Sequence, residues 1–175
     1  MYIRAARNDD LPAICKIISQ AQSYLKSRGV DQWQDGYPDE ERLRRDISLG
    51  VGRVVCENDS IPLAYAAIFF GDEPSYSRIY DGAWLTCGEY GAVHRIATAE
   101  IARRSGSASA LLAHAESLCT QRGVPSVRID THADNAVMRT FIEKHGFVYC
   151  GVIYVSGTAE NGSPRVAYEK VLASD

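Results

Sequence analysis

The chain has no long apolar run. Its longest, Leu63 to Phe70, is far too short to cross a bilayer. The start, Met1-Tyr2-Ile3-Arg4, lacks the basic-then-apolar layout of a secretory signal. A membrane partner is therefore not expected, and a cytoplasmic location is. A basic block or arginine-rich arm is also lacking. With 19 Lys and Arg against 22 Asp and Glu, the formal net charge is −3, which gives no field for bulk nucleic-acid binding. Cysteine is sparse and unpatterned. Cys15, Cys56, Cys87, Cys119 and Cys150 are odd in number and never spaced C-x-x-C, which suits reduced thiols and argues against disulfides or a zinc site. No metal is expected. Tryptophan occurs twice, at Trp33 and Trp84, so each marks a position worth following.

What is present is an ordinary globular composition. At 46% apolar and 23% charged over 175 residues, the chain suits one domain, residues 1–175, with a sizeable core. Tyr2 to Ala5 reads as a strand. Asn8 or Asp9 can cap a helix that tolerates Pro12 in its first turn and runs to about Arg28, with Leu11, Ile14, Ile17, Ile18, Ala21 and Leu25 on one face. A loop, Val30 to Pro38, follows, and acidic residues after Pro38 open a second helix ending near Gly50. Val51 to Cys56 and Ile61 to Phe70 form a hairpin about Glu57-Asn58-Asp59-Ser60. Tyr76 to Glu89 is open between strand ends and folded loop. Tyr90 to Thr98 is a strand, and a helix runs from Gly106 to about Arg122. Pro125 to Thr131 is a strand, Asn135 to His145 a helix, and Phe147 to Val155 and Arg165 to Val171 are strands. The order β-α-α-β-β-β-α-β-α-β-β has no repeat or linker. It implies an α/β fold: a mixed sheet covered by helices, with antiparallel pairs at its ends.

The stretch Arg103-Arg104-Ser105-Gly106-Ser107-Ala108-Ser109 stands between a strand and a helix. Such a turn aims backbone N–H groups outward from a helix start, where the peptide dipoles favour negative charge. Gly106 and Ala108 let a bulky anion approach the backbone, and Ser105, Ser107 and Ser109 can add hydroxyl donors.

The second half of the chain resembles the GNAT superfamily of N-acetyltransferases. Arg103-x-x-Gly106-x-Ala108 meets the family's cofactor motif after the strand Val93 to Thr98, and Asn135 with Gly146-Phe147 meets a second segment. The resemblance implies a mixed, largely antiparallel sheet with one split parallel pair and flanking helices. It implies acetyl-CoA as co-substrate, lying between Tyr90–Thr98 and Pro125–Thr131. The pyrophosphate would sit on N–H groups of Arg104 to Ser109, with Arg103 and Arg104 as side-chain contacts. Pantetheine would pair with the main chain of Ile96 and Thr98, and N–H groups across Ile96, Ala97 and Thr98 would polarise the thioester carbonyl. Asn135 would reach the arm, although an asparagine there is also the default helix cap.

N-acetyl transfer needs a neutral amine and a donor for the developing oxyanion. His94, in register with Ile96 and Thr98, and Asp130, at the end of the facing strand, are the two candidate bases. His132 and Tyr90 are poorer ones. The resemblance implies a tyrosine acid four residues before Gly146-Phe147, but Ile142 stands there. Tyr149, Tyr154 or a water could substitute. Trp33, Asp35 and Tyr37, in the loop between the first two helices, form the candidate acceptor site, with Trp84 a second aromatic for it; both tryptophans also suit plain packing. The expected activity is direct transfer of acetyl to a primary amine, of a small molecule or a peptide. A catalytically silent acyl-CoA-binding module of the same fold is the alternative, and a homodimer is left open.

Overall fold

The computed structural model describes residues 1–57 and 61–173. The expected turn residues Asn58, Asp59 and Ser60 lie outside them. Among the described residues seven strands form one sheet: β1 (Tyr2–Ala5), β2 (Gly52–Cys56), β3 (Ala64–Phe70), β4 (Gly91–Thr98), β5 (Ser126–Thr131), β6 (Val148–Tyr154) and β7 (Pro164–Val171), ordered β1-β2-β3-β4-β5-β7-β6. Four α-helices of the described residues cover it: α1 (Leu11–Ser27), α2 (Glu40–Ser48), α3 (Ser107–Gln121) and α4 (Ala136–Lys144). All described strand pairs are antiparallel except β4 with β5. The expected mixed sheet with one parallel pair is what forms.

Helix periodicity accounts for the two layers. The α1 face carrying Leu11, Ile14, Ile17 and Ile18 packs with Leu43 of α2 against Val54, Tyr65 and Ala67 on one side of the sheet. Leu111, Leu112 and Ala115 of α3 and Ile142 of α4 pack on the other side against Val93, Val127 and Ile129. Asp39 caps α2 by accepting the Arg42 N–H at 2.8 Å, and Glu40 and Glu41 fill its first turn. Asn135 caps α4 in the same way, accepting the Met138 N–H at 3.2 Å.

Tyr76 to Glu89 becomes an ordered loop, opened by a short 3-10 turn at Pro74–Tyr76, with a single bridge from Tyr80 to Val152. A buried carboxylate anchors it. Glu169 of β7 accepts the Leu85 N–H at 2.6 Å, the Ser126 hydroxyl at 2.6 Å and Arg128 Nε at 3.1 Å, and also takes the Thr86 hydroxyl. Burial opposes its ionisation, but these donors hold its pKa below the ordinary carboxylate value. Gly82 lets the loop pass directly over β6, where a Cβ would overlap the Cys150 carbonyl oxygen.

Candidate active site

The central feature is a fork in the sheet. β4 and β5 pair only at Gly91↔Val127, Ala92↔Arg128 and Val93↔Ile129, and then diverge. From His94 to Thr98 one edge of β4 is without a strand partner among the described residues, so its main-chain groups face a cavity. On its other edge β4 stays paired with β3, but a register shift falls between Tyr65 and Ala67. Arg95 sits in that bulge at φ 55, a left-handed backbone that is rare for a long side chain.

The bulge corrects one expectation. His94 pairs opposite Ala67 and Ala97 opposite Tyr65, so His94 shares the α1/α2 face with Ala97. Ile96 packs into the core on the opposite face. Simple alternation would have put His94 with Ile96 and Thr98; the extra residue inverts it.

Arg95 stays on the α1/α2 face as well. Its Nε and Nη2 donate to the two oxygens of Asp46 at 2.8 and 2.9 Å, and its Nη1 donates to the Tyr37 hydroxyl at 2.8 Å. Tyr65 also donates to Asp46, at 2.8 Å. This cluster ties α2 and the Tyr37 loop to the bulge. Burial raises the Tyr37 pKa despite the arginine beside it.

The cavity is about 1190 Å³ and runs from the fork to the start of α3. At the α3 end, Gly106 adopts φ 87, and a Cβ there would meet open space. Of the first-turn N–H groups of α3, that of Ser107 donates to the Ser105 hydroxyl at 3.3 Å, while those of Ala108 and Ser109 have no intrahelical acceptor and can hold an anion. The serine hydroxyls are less free than the sequence suggested. Ser105 and Ser107 pair with each other at 2.6 Å, and Ser105 does not line the cavity. The Ser109 hydroxyl meets His145 Nε2 at 2.9 Å. Because His145 Nδ1 must donate to the Phe141 carbonyl, at 2.8 Å, the neutral ring accepts the serine proton at Nε2. Of the two arginines, both line the cavity, and Arg103 lies 4.6 Å over the Tyr24 ring. A bis-anion therefore fits the backbone and the guanidinium groups better than the hydroxyls.

At the fork end, His94 Nε2 lies 3.1 Å from Glu73 Oε2. Nε2 has no hydrogen-bond partner among the described residues, so the contact is a close approach that becomes an ion pair when the ring takes a proton. Glu73 also accepts the Ser75 N–H at 3.2 Å. Burial opposes its ionisation, yet His94 and Ser75 bring its pKa down from 4.5 to about 2. The folded chain therefore binds that proton less readily than the unfolded chain, and the stabilisation is complete above pH 4.5 and lost as pH falls toward 2. Glu73→Gln should flatten this acid limb in urea unfolding followed between pH 5 and about 2.5; an unchanged limb would show that the pair contributes nothing.

Asp130 faces the cavity and accepts the Tyr76 hydroxyl at 2.6 Å. Burial and the aspartate push the Tyr76 pKa well up, so its proton stays on. Asn135 uses both amide ends inside the protein: its oxygen caps α4, and its nitrogen donates to Gln32 at 3.1 Å. The expected free reach toward the pantetheine arm is thus restricted to its remaining N–H. Gln32, Glu73, Glu160 and Arg165 were not singled out from sequence. Glu160 accepts both the Trp33 N–H and Arg165 Nη2 at 2.7 Å, locking the α1–α2 loop to the β6–β7 loop.

The cavity gathers Trp33, Tyr37, His94, Ile96, Ala97, Thr98, Arg103, Arg104, Gly106, Ser107, Ala108, Ser109, Asp130 and Asn135. Four expected residues are not among its walls. Asp35 is exposed on the loop, and Trp84 packs on Tyr76 and Arg128. Tyr149 is 47% exposed on edge strand β6, against Tyr168, while Ser105 turns to Ser107. His132, Tyr90 and Tyr154 also stand outside. Ile142 is core, so no hydroxyl occupies that site. The Cys119 thiol is pushed up to about 11, chiefly by burial, as befits core filler.

A family model for the acetyltransferase (GNAT) family matches residues 13–147. No curated protein matches at a significant level. Among solved structures, a GNAT-family acetyltransferase from Streptococcus agalactiae is 33% identical, covering 99% of this chain and 96% of its own, with a TM-score of 0.85. A PaiA N-acetyltransferase from Thermoplasma acidophilum, in complex with coenzyme A, shares the fold at 15% identity, covering 98% of each chain, TM-score 0.70. The ribosomal-protein-S18-alanine N-acetyltransferase of Escherichia coli does so at 17%, covering 99% and 95%, TM-score 0.64. The forked parallel pair, the anion-ready start of α3 and these matches agree: the chain belongs to the GNAT acetyltransferase family.

Proposed function

We propose that this chain transfers an acetyl group from acetyl-CoA to a primary amine by direct attack. The observation that carries the reading is the fork itself. One cavity joins the unpaired edge of β4, an anion-ready helix start and a set of ionisable side chains at the other end. When bound, acetyl-CoA supplies the activated acetyl thioester. The chain's own residues do the rest. First-turn N–H groups of α3, with Arg103 and Arg104, would hold the pyrophosphate. Main-chain groups of Ile96 to Thr98 would orient the pantetheine amides and polarise the reacting carbonyl.

His94 is the first choice to take the amine proton, directly or through water. Glu73, ionised down to about pH 2, sits beside its ring and suits the imidazolium so formed. Asp130 is the second choice, and Tyr76 keeps it oriented. Solvent can return a proton to the thiolate, a tolerable leaving group, since no hydroxyl stands at Ile142.

Free thiol released from acetyl-CoA in the presence of a panel of primary amines tests the reading. His94→Ala should slow the reaction on the order of tenfold at neutral pH, since Asp130 can still act through water. Coenzyme A affinity should stay the same. An unaltered rate and pH profile would move the role to Asp130. Coenzyme A binding with no thiol release on any amine would favour the silent binding module.

A further inference from the structure

The acceptor end of the cavity is bipolar. One wall is acidic: Asp72 and Glu73 at the end of the β3 connection, and Asp130 on β5. The α2 wall opposite in charge carries Arg42 and Arg45. These two are separate from the phosphate-loop arginines, because Arg42 stands beside Tyr37 and the Arg95–Asp46 pair at the bulge, and its charge acts on the Tyr37 hydroxyl.

Arg42 has only a counter-ion that it shares with Arg95. Its Nε is buried and has no hydrogen-bond partner among the described residues. The carboxylate it approaches, Asp46, is 3.7 Å away, and its two oxygens already accept Arg95 twice and the Tyr65 hydroxyl. One carboxylate thus faces two guanidinium groups, leaving about one positive charge directed at the cavity. Arg165, by contrast, is paired with Glu160. An acceptor carrying only an amine would satisfy the acidic wall and leave the Arg42 wall unmatched.

We infer that the acceptor is a small zwitterion, an amine bearing a carboxylate as in a free amino acid. Its ammonium is drawn to the Asp130 side, and its carboxylate is held by Arg42, with Arg45 one helical turn further on. A guanidinium suits this role, since its planar fork matches a carboxylate. This deepens the proposed acetyl transfer and rests on it.

Matched acceptors test it. Thiol release is measured with L-phenylalanine, L-phenylalaninamide and 2-phenylethylamine, and with L-lysine and cadaverine. The carboxylate-bearing member of each set should show kcat/KM about tenfold higher or more, the equivalent of one charge-assisted hydrogen bond. Arg42→Gln should erase that preference through KM without changing coenzyme A affinity, and Arg42→Lys should restore part of it. Thermal shift of the coenzyme A complex gives a readout independent of turnover: L-phenylalanine should raise the midpoint of the wild type more than 2-phenylethylamine does, and lose that advantage in Arg42→Gln. Equal or better use of the decarboxylated amines overturns the inference. So does loss of coenzyme A affinity in Arg42→Gln, or the absence of any carboxylate-dependent shift. Thiol release from no amine, with the carboxylate-dependent shift intact, would overturn acetyl transfer and leave the zwitterion site standing.

Discussion

Asp46→Ala should destabilise the chain by about 3–5 kcal/mol, the loss typical when one partner of a buried ion pair is removed. Asp46 is 0% exposed and Arg95 5% exposed, so the guanidinium left behind cannot recover water without opening the α2 packing. The aspartate accepts from Arg95 twice and from Tyr65 once, and all three donors lose their acceptor together. Arg95 also holds φ 55 in the bulge, which costs on the order of 1 kcal/mol and persists because its side chain is pinned. Urea unfolding measures the effect. Asp46→Asn, which keeps the shape and loses the charge, should fall between alanine and wild type. A loss below about 1 kcal/mol for alanine would show that strand pairing alone maintains the bulge. The consequence reaches the site, because the bulge begins directly after His94, which lies on the α1/α2 face next to Glu73, and turns Ile96 to the opposite face.

Ala108→Glu should separate binding from stability. Ala108 lies in the first turn of α3 and lines the cavity. A carboxylate in a helix's first turn is favourable to the helix, so the unfolding midpoint should hold or rise. The same charge would occupy the place of the pyrophosphate. Like charges about 4 Å apart repel by about 4 kcal/mol at an effective dielectric near 20, so coenzyme A affinity should fall on the order of 100-fold or more. The rise in midpoint that coenzyme A gives the wild type should vanish in the variant. A variant still stabilised by coenzyme A as much as the wild type would place the phosphates elsewhere.

Much of this was legible in the sequence because it is local. Helix periodicity at Leu11, Ile14 and Ile18 sufficed for α1, and a strand, a small-residue turn and a helical pattern sufficed for the start of α3 at Gly106. What could not be read depends on partners far along the chain. Arg95 finds Asp46, 49 residues away, and the resulting bulge breaks the alternation on which the placement of His94 relied. Glu73 sits in a stretch with no periodicity and acquires a role only when the loop brings it to His94. Glu169 looks like a strand surface residue, yet it is buried and organises the loop around Trp84. Ser107 and Ser109 show the converse: their hydroxyls suit an anion by type, but Ser105 and His145 already engage them.

A calorimetric titration of the purified wild-type chain with coenzyme A should show saturable binding at one site per chain, weakened by added salt as expected for phosphate contacts to charged groups. Absence of binding would contradict the proposed acetyl transfer at the root.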